Sequence, residues 1–281
     1  MALPEGFDLD QFVQRVLAED LGTGGDVTSE VTIAEDARFT ADMNARQAIV
    51  VAGIEIAEAF FRALDKGVQV EALTKDGDRL EHGTTLMRIS GSARAMLTAE
   101  RSALNTLQHL SGIATMTRSY VDAIAGTGAV VIDTRKTIPG LRVLEKYAVR
   151  MGGAQNHRMR LDDGVLIKDN HVAVCGGVAE AVKRAKAANT GLQVQVEVDR
   201  IDQIEPALAA GADRLLLDNM DPAMLREAVK VVADRVPLEA SGGVTLETIR
   251  FLAETGVDFI SVGRITQSAP AVDIGLDYSL A

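Results

Sequence analysis

The chain carries one cysteine, Cys175, in 281 residues, so no internal disulfide can form. Its four histidines, His82, His109, His157 and His171, are scattered, and no Cys/His cluster has zinc-site spacing. A reducing compartment follows, and the expected location is cytoplasmic. No run of about 18 apolar residues occurs, which argues against a membrane-spanning helix. The opening MALPEGFDLDQF is acidic and lacks the positively flanked apolar core of an export signal. Positive charge is also short, 29 Lys and Arg against 40 Asp and Glu, for a net −11. An acidic body repels polyanions and acidic surfaces at long range, so neither nucleic acid nor a membrane is an expected partner.

Against that background one segment stands out. Between Asp133 and His171 the chain reads DTRKTIPGLRVLEKYAVRMGGAQNHRMRLDDGVLIKDNH, with eight Lys and Arg against five acids. A cationic pocket in an acidic protein focuses the field on small anions, and the segment therefore points to a strongly anionic ligand.

The pattern changes along the chain. An amphipathic helix is predicted from Asp8 to Leu21, then short alternating stretches (Phe39 to Asn44, Ala48 to Ala52, Val68 to Leu73, Thr85 to Ile89) around a helix at Ile54 to Leu64. A longer helix follows at Arg94 to Leu110. From Ala129 onward strand and helix alternate: AVVID, GVLIK, VQVEVD, RLLLD, PLEAS and DFISV each end a short apolar run, and the first five precede a helical pattern. Six parallel-type strands imply an α/β barrel or a doubly wound sheet. The polar residues favour the barrel, because each run ends in one: Asp133 to Lys136, Lys168 with Asp169, Glu197, Asp218, Ser241 to Gly243, and Gly263. In a barrel those ends meet at one mouth, and the glycine-bearing last two suit a phosphate.

Structural readings compete with functional ones. Asp218 reads equally as a cap on the following helix. Glu197, between Val196 and Val198, reads as functional, since an unpaired carboxylate inside an apolar strand is costly. Lys168 reads as functional, although Asp162 or Asp163 would be structural partners for it. Arg142 and Lys146 read as a solvated helix face paired with Glu145. His82 and His109 read as packing or surface residues, and Asp76 to Asp78 as a turn.

EDLGTGGDVTSE, ERSALNTLQHLSGIAT, the DTRKT to QNHR run, LIKDNH, VEVD, LLLDNM, SGGV and SVG, in this order, resemble the quinolinate phosphoribosyltransferases, the decarboxylating nicotinate-nucleotide pyrophosphorylases of NAD biosynthesis. The resemblance covers nearly the whole chain. It implies an N-terminal α+β sandwich domain, residues 1–112, joined by 270–281, and an open TIM-like α/β barrel of about seven strands, 113–269. It also implies a homodimer with shared active sites, or a higher oligomer. The reaction implied is phosphoribosyl transfer from 5-phosphoribosyl 1-pyrophosphate to quinolinate, with loss of CO2.

Carried over at matching positions, Arg135, His157, Arg158 and Lys168 would bind the quinolinate carboxylates, with Arg101 from the partner subunit. Thr134 would belong to the substrate site and Lys136 would lie near pyrophosphate. Glu197 and Asp218 would contact the ribose hydroxyls and a Mg2+ ion. Ser241, Gly242 and Gly243, with the backbone of Ser261, Val262 and Gly263, would hold the 5-phosphate. Lys136, Glu197 and Asp218 are the expected catalytic residues. The chain departs from the family at Gln267, where histidine is usual, at Ala154 in place of a glycine, and in the extra residue of GTGGD. Two rivals stay open: the related protein encoded with molybdate transport systems, and a Schiff-base aldolase using Lys168.

Overall fold

In the computed structural model, which describes residues 3–279, Asp8 accepts a hydrogen bond from Gln11 N at 2.8 Å and starts α1 (Leu9–Leu21). Such a cap satisfies one of the orphan N–H groups of a helix start. Asp26 does the same for the short α2 (Val27–Thr32), which periodicity alone does not reveal. β1 (Arg38–Ala45) alternates buried side chains with exposed or half-buried ones, as expected of a sheet with one face on the core. It is followed by β2 (Ile49–Val50), α3 (Ile54–Leu64), β3 (Gln69–Ala72), β4 (Arg79–Leu80), β5 (Thr85–Ser92) and α4 (Ala93–Ala123). The first antiparallel sheet has the order Ile274–Ser279, β1, β5, β3, so the end of the chain returns to its first sheet. Residues 280 and 281, part of the expected joining segment, lie outside the described residues, as do residues 1 and 2 of the expected N-terminal domain.

Two compact units result, one of residues 1–118, 143–153 and 269–281, the other of 119–142 and 154–268. The helix α5 (Arg142–Met151) thus contributes mainly to the first unit, whereas the sequence reading placed it with the barrel. Its side chains give the reason. Leu144, Tyr147, Ala148, Val149 and Met151 are buried, and the Tyr147 hydroxyl donates to Asp76 at 2.5 Å. Asp76 also accepts from Gly53 N and Ile54 N at the start of α3, and the Asp78 N–H donates to Lys75 O at 3.1 Å, which bears out the turn reading of that segment. The solvated-face reading of α5 fails: Lys146 is only 1% exposed and Glu145 fully buried, bonded to His109 Nε2 at 2.9 Å.

The second unit contains β6 (Val130–Ile132), β7 (Val165–Ile167), α6 (Asp169–Cys175), α7 (Val178–Ala187), β8 (Val194–Val198), α8 (Ile204–Ala209), β9 (Arg214–Asp218), α9 (Pro222–Val232), β10 (Leu238–Ser241), α10 (Leu246–Ala253), β11 (Phe259–Ser261) and α11 (Arg264–Gln267). Its strands are all parallel and ordered β6-β11-β10-β9-β8-β7. The last strand pairs with the first, a closure that a doubly wound sheet does not make, and the break falls between β6 and β7. The fold is therefore an open α/β barrel. It has six strands rather than about seven; at the break only Gln155 forms a single parallel bridge, to Ile132. Among the described residues no helix is long and apolar enough to cross a membrane.

Candidate active site

A strand's side chains alternate faces, so residues two apart share one. Leu166 and Lys168, Gln195 and Glu197, Leu216 and Asp218, and Glu239 and Ser241 are such pairs. All but Gln195 line one cavity of about 480 Å³ in the second unit, with Asp133, Thr134, Arg135, Lys136, His157, Arg158 and Ser261. An adjoining cavity of about 490 Å³ includes Thr134, Lys136, Asp218, Ser241 and Ser261, and adds Gly242, Gly243, Gly263, Arg264 and Gln267. Six strand ends do converge on one mouth. Arg101, expected from the partner subunit, lies in the first unit and is exposed. Val262 is fully buried and donates its N–H to Ile132 O at 2.9 Å, so that donor belongs to the sheet and is not free for a phosphate.

The cationic side of the cavity is built around two neighbouring arginines, Arg135 and Arg158. Arg135 has a buried Nε with no hydrogen-bond partner. Arg158 donates to Gly164 O at 2.8 Å, and burial, followed by the neighbouring Arg135 charge, pulls its guanidinium below the ordinary value. Two guanidiniums that repel each other in a partly buried pocket favour an anion between them. Lys136 N donates to Thr134 Oγ1 and Lys136 O accepts from Thr266, which fixes the backbone at that strand end. Its side chain runs beside Gly263, where an added Cβ would stand 3.0 Å from Lys136 Cδ.

Opposite them stand the acids. The Glu197 carboxyl is held above its ordinary range by burial and by repulsion from Asp218, with Lys168 acting against both. Asp218 is likewise raised, chiefly by burial, although Asn219 donates to it at 2.6 Å. The cap reading of Asp218 is excluded, because Asp221 caps α9 by accepting from Ala223 N and Met224 N. The structural partners considered for Lys168 are engaged elsewhere: Asp162 pairs with Arg160, and Asp163 accepts from Met159 N and Arg160 N.

Gly242 sits at φ +104, and a Cβ there would approach Asn219 Oδ1 to 2.2 Å. Replacing Gly242 by alanine is expected to lower stability by about 1–3 kcal/mol, since both a strained backbone and a displaced Asn219 result. A urea midpoint equal to that of the unmodified protein would show that the loop yields freely.

Sequence reasoning missed Gln195, Arg214 and Glu239. They lie at the buried end of the same period-two stripes that deliver Glu197, Asp218 and Ser241, and that alternation was the available signal. It also named His157 as a substrate ligand, but both ring nitrogens are engaged within the unit. Nδ1 accepts from Arg158 N at 2.8 Å and Nε2 faces Gln195 Oε1 at 3.1 Å.

Comparison with known proteins agrees with this arrangement. Residues 113–277 match the family model described as quinolinate phosphoribosyl transferase, C-terminal domain, and 26–111 the corresponding N-terminal domain. The probable nicotinate-nucleotide pyrophosphorylase [carboxylating] of Bacillus subtilis (strain 168) is 43% identical, over 97% of this chain and 94% of that protein. The nicotinate-nucleotide pyrophosphorylase [carboxylating] of Mycobacterium leprae is 44% identical, over 94% and 95%. The crystal structure of nicotinate-nucleotide pyrophosphorylase from Ehrlichia chaffeensis, 40% identical, superposes with a TM-score of 0.94 over 98% of this chain and 100% of that one.

Proposed function

The chain belongs to the quinolinate phosphoribosyltransferase family, and from that premise we propose how its residues carry the reaction. The enzyme transfers phosphoribosyl from 5-phosphoribosyl 1-pyrophosphate to quinolinate with decarboxylation, forming nicotinate mononucleotide, pyrophosphate and CO2 in NAD biosynthesis.

The adjacent guanidiniums of Arg135 and Arg158, both lining the cavity, carry the assignment of residues. Two planar guanidiniums suit the two carboxylates of quinolinate, each able to accept a bidentate pair of hydrogen bonds. His157 braces Arg158 from behind, and Lys168 adds charge at the rim. The ring nitrogen attacks C1 of the ribose while the C1–O bond breaks, its electron pair leaving with pyrophosphate. Glu197 and Asp218, facing the ribose, favour the positive charge that develops on it, and Lys136 stabilises the leaving pyrophosphate. The 5-phosphate rests on the loops of Ser241 to Gly243 and Gly263, with the hydroxyl of Ser261 nearby. Once alkylated, the ring nitrogen is cationic and accepts the electron pair released when the 2-carboxylate leaves as CO2; the ring carbon then takes a proton.

The donor set also fits Mg2+. Among the described residues no group of three or more His, Cys, Asp and Glu could hold a metal ion, but Glu197 and Asp218 offer two hard oxygen donors whose burial a cation would offset. Mg2+ is commonly bound by one or two carboxylates and completed by substrate oxygens and water. Its contribution when bound is to neutralise charge on the pyrophosphate.

We further infer a homodimer, in which Arg101, exposed on the first unit, reaches the partner's quinolinate pocket. A cytoplasmic location is inferred from the single cysteine, which fits a reducing compartment.

One experiment tests the reading. The enzyme incubated with quinolinate, 5-phosphoribosyl 1-pyrophosphate and Mg2+ should release equal amounts of pyrophosphate and nicotinate mononucleotide. Borohydride in the presence of carbonyl compounds should trap nothing on Lys168. Trapping without nucleotide formation would point to the aldolase instead.

A further inference from the structure

Barrel interiors are usually filled by layers of Val, Ile and Leu. Beneath the arginine pocket this barrel instead places Gln195 on β8, Arg214 on β9 and Glu239 on β10. Glu239 is 1% exposed and Gln195 5%. Glu239 Oε2 accepts from Gln195 Nε2 at 2.7 Å and lies 2.8 Å from Arg214 Nη2. The Arg214 guanidinium covers the Phe259 ring at 3.9 Å. Burying an ion pair costs more than an apolar layer of the same volume would, so its presence calls for a reason beyond stability.

Glu239 itself lines the floor of the substrate cavity, and the cluster reaches the arginines through His157. Nε2 of that ring lies 3.1 Å from Gln195 Oε1 and 3.5 Å from Glu239 Oε2. On the other side Nδ1 accepts the Arg158 N–H. The proton therefore sits on Nε2, directed at the buried acceptors, and Nδ1 is left to hold the backbone of Arg158. Asp133, fully buried, fixes the same loop by accepting from His157 N at 2.7 Å.

We propose that Glu239, aided by Gln195, is the positioning residue for quinolinate: it sets the tautomer and orientation of His157 and, through the Nδ1 bond, the place of Arg158. Arg214 balances the Glu239 charge so that the carboxylate remains ionised within the barrel. The inference rests on the assignment of quinolinate to Arg135 and Arg158.

Glu239→Gln is expected to raise the KM for quinolinate about tenfold, the effect of misplacing one charged hydrogen-bond donor, and to leave the KM for 5-phosphoribosyl 1-pyrophosphate within about twofold. Gln195→Leu should shift the same constant in the same direction by less. Purely structural damage lowers the active fraction and leaves both KM values alone. An unchanged quinolinate KM in both variants would overturn the proposal. Should Glu239→Gln fail to fold, Gln195→Leu still decides, together with the nitrogen spectrum of the unmodified enzyme labelled with 15N-histidine. His157 should appear there as the Nε2–H tautomer, and an Nδ1–H tautomer would overturn the proposal. Titration of the unmodified enzyme with quinolinate separates the two readings. If it does not bind, the substrate assignment fails; if it binds the variants equally well, only the role of Glu239 does.

Discussion

Arg135→Ala should lower kcat/KM for quinolinate by about two orders of magnitude, and Arg135→Lys by at least about tenfold. The first figure corresponds to about 3 kcal/mol, the upper range for hydrogen bonds to a charged group, converted at 1.36 kcal/mol per tenfold. Lysine keeps the charge but not the fork. Its single ammonium cannot match a planar carboxylate at two points, which is why charge conservation does not rescue the site. The buried Nε of Arg135, without a partner inside the protein, is the specific atom at stake. Steady-state kinetics with each substrate varied in turn checks this: the KM for 5-phosphoribosyl 1-pyrophosphate should move little. Turnover near that of the unmodified enzyme at low quinolinate would remove Arg135 from the substrate site. The dimer reading adds a corollary. Mixing impaired Arg101→Ala and Arg135→Ala chains under exchange should raise activity above that of either alone, because one hybrid site then carries both intact arginines.

Glu197→Gln should have the opposite effects on activity and on stability. The reaction loses a carboxylate that favours positive charge on the ribose, and kcat should fall by about 100- to 1000-fold, as when one preorganised electrostatic group is removed. The fold, by contrast, should become more heat-resistant. Burial, followed by Asp218, raises the Glu197 pKa above its value in the unfolded chain. A raised acid opposes folding once the unfolded chain can ionise it, so the destabilisation is absent at low pH and complete above the folded pKa. The melting temperature of Glu197→Gln should therefore exceed that of the unmodified protein at pH 7–8, and the difference should vanish at about pH 4. The same raised values for Glu197 and Asp218 put the acid limb of kcat/KM above the ordinary carboxylate range, with activity lost as pH falls through them. Equal melting temperatures at both pH values would contradict the electrostatic account.

Glu239 runs the other way. Burial alone would raise it, but His157, Arg214 and Gln195 outweigh that and hold its carboxyl below the usual value. Its contribution to stability is present above the unfolded pKa and is lost as pH falls through the folded one. The two glutamates of one barrel thus differ in sign because counter-charges outweigh burial at Glu239, whereas at Glu197 burial and Asp218 outweigh Lys168.

Much of this was legible in the chain itself. Strand ends and helix caps depend on residues a few positions apart, so the six apolar runs, the polar residue closing each, and the helix at Ile54 to Leu64 could all be read from period and turn chemistry. Order along the chain also put Arg135, Lys168, Glu197 and Asp218 at strand ends that a barrel brings together. What needed the tertiary structure were pairings between distant segments. Lys146 has the spacing of a solvated helix face, yet it is buried, because what covers a helix is not encoded in the helix. Asp218 and Asp221 are both plausible caps by type, and only the backbone showed which one closes α9. The layer formed by Gln195, Arg214 and Glu239 joins three strands, and each residue alone resembles any polar position on an alternating strand. Periodicity tells which face a side chain takes; the partner it meets there depends on how distant strands align when the barrel closes.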